Sequence, residues 1–181
     1  MKKTLLTLTL ALSSILVFGQ YTYTENWPNG KKKIEGNYNS AVEIGQNESK
    51  EEQAKKMAQA IRVGKWQHWF ENGQLASLEY YTDGVMTGQW KSWYADGSVQ
   101  YDIDFATGKA VIYHANGKKA SEGKMLTGMI HDGNWISYYE TGIKNVEGAY
   151  NNGQKNGDWK FYDEKGNHYF TEKWNNGVKA N

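Results

Sequence analysis

The tripeptide Gly-x-Trp recurs at a fixed distance from a second glycine, and that spacing confines the chain to copies of one short structural unit. Gly64-Lys65-Trp66, Gly88-Gln89-Trp90, Gly133-Asn134-Trp135 and Gly157-Asp158-Trp159 each open a segment that reaches another glycine nine residues on, at Gly73, Gly97, Gly142 and Gly166. Gly108-Lys109-Ala110 keeps the same distance to Gly117 but carries Ala in place of Trp. A second segment of eleven residues then runs to Gly84, Gly108, Gly128, Gly153 and Gly177. The reading is five full copies with a period of about 24 residues, over about 64–84, 88–108, 108–128, 133–153 and 157–177. A degenerate copy at 21–41 leads them, with Asn29-Gly30 as its turn and Asn26 where later copies carry a ring.

The physical content of the period is a β-hairpin. Asn-Gly or Asp-Gly recurs at 29–30, 72–73, 83–84, 96–97, 116–117, 132–133, 152–153, 156–157 and 176–177, and these dipeptides tolerate the positive φ of tight turns. Gly73, Gly97, Gly117, Gly142 and Gly166 are the central turn glycines. Between turns lie runs rich in Trp, Tyr, Phe, Val and Thr, which suit a pleated surface. Five residues after each opening glycine stands a ring: Trp69, Trp93, Tyr113, Tyr138 and Tyr162. Eight after each central glycine comes another large side chain: Tyr38, Tyr81, Phe105, Met125, Tyr150 and Trp174. Both sets stack as ladders across successive hairpins. The column Trp66, Trp90, Trp135 and Trp159 is three residues from the first ladder, so without a bulge it lies on the opposite face. Rings on both faces call for a sheet that curls or is covered.

Composition says why rings matter. With 20 Gly, one Pro, 8 Trp, 13 Tyr and 5 Phe but only 39% hydrophobic residues, the chain must bury aromatic rather than aliphatic surface. The Trp column and the first ladder are therefore read as structural. Phe70, Tyr94 and Tyr139 adjoin the ladder and are the candidate binding surface. A net charge of +1, from 21 Lys+Arg against 20 Asp+Glu, gives no electrostatic case for nucleic acid. The absence of Cys excludes disulfides, thiolate metal sites and thiol catalysis.

The pattern G-x-W-x-x-W-[FY]-x-x-G-x-L, seen at Gly64-Lys65-Trp66-Gln67-His68-Trp69-Phe70-Glu71-Asn72-Gly73-Gln74-Leu75, resembles the bacterial variant of the MORN repeat. The resemblance covers 64–177 well and 21–38 poorly. It implies an all-β fold, an elongated antiparallel meander of hairpins. It also brings an antitoxin-like label from bacterial members and a scaffold role, with debated lipid contact, from eukaryotic ones. No catalytic residues come with it. Ala110 and the shared Gly108 predict an irregular middle of the sheet.

Two segments lie outside the period. Lys2 and Lys3 precede an apolar stretch, Leu5 to Phe18, with Val17-Phe18-Gly19 at its end, which reads as a signal peptide over 1–19. The stretch is short of the roughly 20 residues of a membrane span, so no stable membrane anchor is expected. The mature chain then starts at Gln20, and loss of the two lysines takes the formal charge from +1 to −1. The expected address is periplasmic or secreted. Between the leading copy and the first full one, Ser49-Lys50-Glu51-Glu52 is a capping-box pattern, and Ala54, Met57, Ala58 and Ile61 fall on one helical face. An inserted amphipathic helix near the N-terminus, about 49–62, is expected to pack on the first hairpins.

Candidate chemistry is sparse. His68, His114, His131 and His168 occupy four different places in the repeat and share no metal-ligand spacing. Asp102 and Asp104 share a strand face but belong to an ordinary alternation with Tyr101, Ile103 and Phe105. Ser92, Ser98 and Ser137 lack a nucleophile elbow. A near-uniform repeat spreads its residues along a surface rather than gathering them in a cleft. The expectation is a non-enzyme without metal or cofactor, one that binds another protein, antitoxin-like in mode. The alternative is a glycan or cell-surface module that uses exposed Trp and Tyr rings.

Overall fold

The computed structural model describes residues 21–40 and 48–180. The signal peptide expected at 1–19 and the first part of the insertion, 41–47, lie outside the described residues. The rest is one long antiparallel sheet of hairpins in sequence order. Its strands are β1 (Tyr21–Asn26), β2 (Lys32–Tyr38), β3 (Arg62–Trp69), β4 (Leu75–Thr82), β5 (Val85–Met86), β6 (Gln89–Trp93) and β7 (Val99–Asp104). They continue as β8 (Lys109–Tyr113), β9 (Lys119–Leu126), β10 (Ile130–Tyr138), β11 (Lys144–Asn151), β12 (Gln154–Tyr162), β13 (His168–Asn175) and β14 (Val178–Lys179). Each pairs with the next, except that β5 is a side strand and β4 pairs on with β6. In the insertion stands α1 (Lys50–Gln59), where Ser49 and Glu52 exchange backbone-to-side-chain hydrogen bonds of 3.2 and 2.9 Å. Ile61 lies beyond α1 rather than on its face: Asn39 N–H donates to the Ile61 carbonyl (3.0 Å), which returns the chain to the sheet.

Every central turn closes in one way. In the first full copy Phe70 N–H donates to Gln74 O and Gly73 N–H to Phe70 O, at 2.9 and 2.8 Å. The φ of +93° at Gly73 is one that a side chain strongly disfavours. Just past each turn the second strand carries one extra residue: Lys33, Ala76, Gln100, Ala120, Asn145 and Tyr169. Such a bulge sharpens the local twist and bends the strand. It recurs in every one of these hairpins.

The core is a set of indole seats. Trp66, Trp135 and Trp159 (1%, 5% and 6% exposed) lie flat on Gly36, Gly123 and Gly148 of the preceding strand, where an added Cβ would stand 2.1, 2.4 and 2.3 Å from the ring. Their indole N–H groups donate to the carbonyls of Asn37, Lys124 and Ala149 (3.0, 2.9 and 3.2 Å). Four residues upstream, Arg62, His131 and Lys155 lie over the same indoles at 4.4, 4.1 and 4.3 Å. Tyr38 and Tyr150 close the side of the first and last at 4.9 Å, edge-on. The middle of the sheet, expected to be irregular at Ala110, fills its seat by exchanging sizes. Ile103 occupies the glycine position opposite Ala110, and both are buried, with Met125 beside them.

Candidate functional site

The ladder and the Trp column part onto opposite faces, because strand alternation from Trp66 to Trp69 is unbroken. Trp69, Trp93, Tyr113, Tyr138 and Tyr162 are each half-buried at the turn end of their hairpins. In three copies the preceding second strand reads Lys-x-x-Glu-Gly: Lys32 to Gly36, Lys119 to Gly123 and Lys144 to Gly148. Its glycine seats the next Trp on one face, while its carboxylate serves the ladder on the other. Tyr138 donates to Glu122 (2.7 Å) and Tyr162 to Glu147 (2.5 Å). Lys119 and Lys144 pair with the same carboxylates at 2.7 Å. The lysines first and the phenols second hold Glu122 and Glu147 below the ordinary carboxylate range. Burial and Glu122 together push Tyr138 up to about 12.

A second row of rings follows the ladder at the turn. Trp27 Nε1 donates to the Trp69 carbonyl of the next hairpin (3.0 Å), Tyr94 OH to Tyr113 O (2.8 Å) and Tyr139 OH to Tyr162 O (2.8 Å). His114 Nε2 is 3.0 Å from Tyr138 O, which requires the Nε2-protonated ring. These are clasps between copies, and Phe70 holds the same position without a donor. The candidate surface residues Phe70, Tyr94 and Tyr139 are thus half-buried, two of them with committed hydroxyls and partly open rings. Together with the ladder they form a strip along the turn end of the sheet.

One junction departs from the rule. Glu79, 8% exposed, stands where Gly36, Gly123 and Gly148 stand in other copies, so Trp90 cannot lie on β4. Trp90 stacks on Tyr101 instead (5.2 Å, 12°), and its buried Nε1 has no hydrogen-bond partner. Glu79 accepts from Tyr81 OH (2.8 Å) and Ser77 Oγ (3.1 Å), with Arg62 Nη1 at 3.7 Å and His68 Nε2 at 3.6 Å. Burial, then Glu79, pushes Tyr81 up to about 12, and burial holds His68 below the ordinary imidazole value. Sequence reasoning missed this cluster. Its signal was Leu78-Glu79 at the place where three other copies read Glu-Gly.

The cluster around Glu79 is not a nucleophile–base pair. Ser77 Oγ donates to the carboxylate rather than to His68, so its hydroxyl is not activated by the imidazole. Asp102 is held by Gln89 and Lys91, and Asp104 caps the turn at Ala106 and Thr107. His168 contacts Thr171, and His131 is packed between Trp135 and Tyr150. Among the described residues no group of three or more His, Asp and Glu is placed to hold a metal ion. None of their helices is long and apolar enough to cross a membrane.

The model of the MORN repeat variant family matches residues 22–40, 62–84, 86–106 and 132–152. The leading copy, where the pattern is weakest to the eye, is among them. The hairpins β8–β9 and β12–β13 lie outside the matched segments but have the same turn and bulge. No curated protein matches the chain.

Proposed function

The chain belongs to the MORN repeat variant family, and on that footing we propose that it works by binding another protein through the ring strip rather than by catalysis. The observation behind this reading is the unequal treatment of the two ring sets. The indoles of Trp66, Trp135 and Trp159 have a glycine backbone on one face and a cationic or imidazole side chain on the other, so no ligand can stack on them. The ladder and clasp rings are half-open in a regular row, and half-exposed Trp and Tyr are the side chains that anchor protein interfaces. The protein is exported from its 1–19 signal and meets its partner outside the cytoplasm. Its mode is stoichiometric occlusion, antitoxin- or immunity-like. A glycan module would have to use the ladder rings or Trp90, since the other three indoles of the column are closed.

The test is an affinity pull-down with residues 20–181, from envelope and culture fractions, beside Phe70→Glu. Phe70 is half-buried, and circular dichroism checks that the variant keeps the fold. A stoichiometric protein captured by the wild type and lost by Phe70→Glu supports the reading. Retention on insoluble polysaccharide with no protein partner overturns it.

A further inference from the structure

Two apolar core clusters lie along the sheet, and they share no residue. Tyr38, Trp66 and Tyr81 form the first, with Tyr23, Ile34 and Met86 against it, all from β1 to β5. Ile103, Ala110, Met125 and Trp135 form the second, with Trp90, Tyr101 and Phe105 against it, all from β6 onward. Their boundary falls between two adjacent residues. Thr87 N–H donates back to Tyr80 O, whereas Gly88 O accepts forward from Phe105 N–H, both at 2.8 Å. Gly88 has a φ of +62°, and Gly64, Gly133 and Gly157 open their own copies with the same sign. The backbone at this point is therefore common to the repeat, and what differs is how the strands on its two sides are tied.

Trp135 and Trp159 each lie on a glycine of the preceding strand, donate to the carbonyl one residue past it, and are covered by the side chain four residues upstream. Trp90 has none of the three. Glu79 fills its seat, its Nε1 is buried without a partner, and the residue four upstream is Met86, which packs in the first cluster. Glu79 does not bridge the gap, because Ser77, Tyr81, Arg62 and His68, the groups around its carboxylate, all stand on β3 or β4. On the other side Gln89 and Lys91 turn to Asp102, and Ser92 to Gln100, all on β7. Each side thus satisfies its polar side chains within itself. At the turn end Phe70 has no hydroxyl to reach the next hairpin. The pairs in register between β4 and β6 are Ser77–Ser92 and Leu78–Lys91.

We propose that Thr87–Gly88 is a hinge on which a leading body, β1–β5, turns against a trailing body, β6–β14. A few backbone dihedrals at an element end absorb such a motion, and Gly88 supplies them without a side chain to clash. The two clusters do not interdigitate, so neither is opened as the bodies turn. Glu79 keeps the hinge free: a glycine in its place lets Trp90 lie down and donate to the Tyr80 carbonyl, as Trp135 does to that of Lys124. The ring strip crosses the boundary between Phe70 and Tyr94, so its two parts change their mutual angle with the hinge.

The chain has no Cys, so paired spin labels can be placed on residues 20–181 without background. One pair, Thr24→Cys with Lys109→Cys, spans the boundary from β1 to β8. The other, Lys109→Cys with Lys173→Cys, crosses a similar number of strands within the trailing body, and all three positions are exposed. Double electron–electron resonance should give a distance distribution across the boundary about twofold broader than the one within the trailing body. Glu79→Gly should narrow the first and leave the second unchanged. Equal widths for the two pairs in the otherwise wild-type chain would overturn the hinge, whatever the variant does. A Glu79→Gly chain that is folded by circular dichroism and keeps the broad first distribution would overturn the part given to Glu79.

Discussion

Gly123 and Gly148 sit in mid-strand, where glycine weakens a sheet, and each is explained by the indole that covers it. Gly123→Ala places a methyl group 2.4 Å from the Trp135 ring, so the ring or the backbone must shift. The expected loss is about 1–3 kcal/mol in urea unfolding, with no change in slope. His131 packs against Trp135 at 4.1 Å and Tyr150 at 5.0 Å, and burial holds it below the ordinary imidazole value, as it does His68. The unfolded chain binds a proton near pH 6.5, whereas the folded one binds it only at lower pH. Stability is therefore full above about pH 6.5 and falls as the pH drops from there toward the folded-state values. A thermal melt series should show that slope, and His68→Gln/His131→Gln should flatten it. Neither seat nor titration could be read at the residue itself, since both depend on a neighbour from another strand.

At the scale of the element, three devices join successive hairpins, the indole seat, the carboxylate under the ladder and the clasp at the turn, and all three meet at β9–β10 and β11–β12. Phe70 lacks the clasp, and Tyr94 and Tyr139 show what is missing. Phe70→Tyr should donate to Trp93 O and add about 0.5–1.5 kcal/mol, read as a higher urea midpoint. An unchanged midpoint would mean that this hairpin is offset from the others. Strands, turns and the two faces were legible because turn dipeptides and alternation are local. The bulge was not, for Ala76 and its equivalents look like any strand residue. Phe70, Tyr94 and Tyr139 were marked for their position beside the ladder, but only the fold shows two of them reaching into the next copy.

Across the whole molecule, each hairpin touches mainly its sequence neighbours, so stability is a chain of nearest-neighbour terms and is least where a junction is poorest. The β4–β6 junction lacks the glycine seat, the indole hydrogen bond and the clasp, and only Ser77–Ser92 and Leu78–Lys91 pair in register. Amide exchange should be faster in β6 than in β10 or β12, and equal protection along the sheet would show that Glu79 and its partners restore what the seat lost. The sequence by itself determined the unit, its count and its order, because a glycine turn and a pleated run are set by dihedral preferences within a few residues. It also determined the two ring columns, since alternation carries each side chain to a known face. Only the tertiary structure decided which column is sealed. Gly36 and Trp66, Ile103 and Ala110, Glu79 and Trp90 belong to different copies, and whether an indole finds a bare backbone or a side chain beneath it depends on the register in which those copies meet.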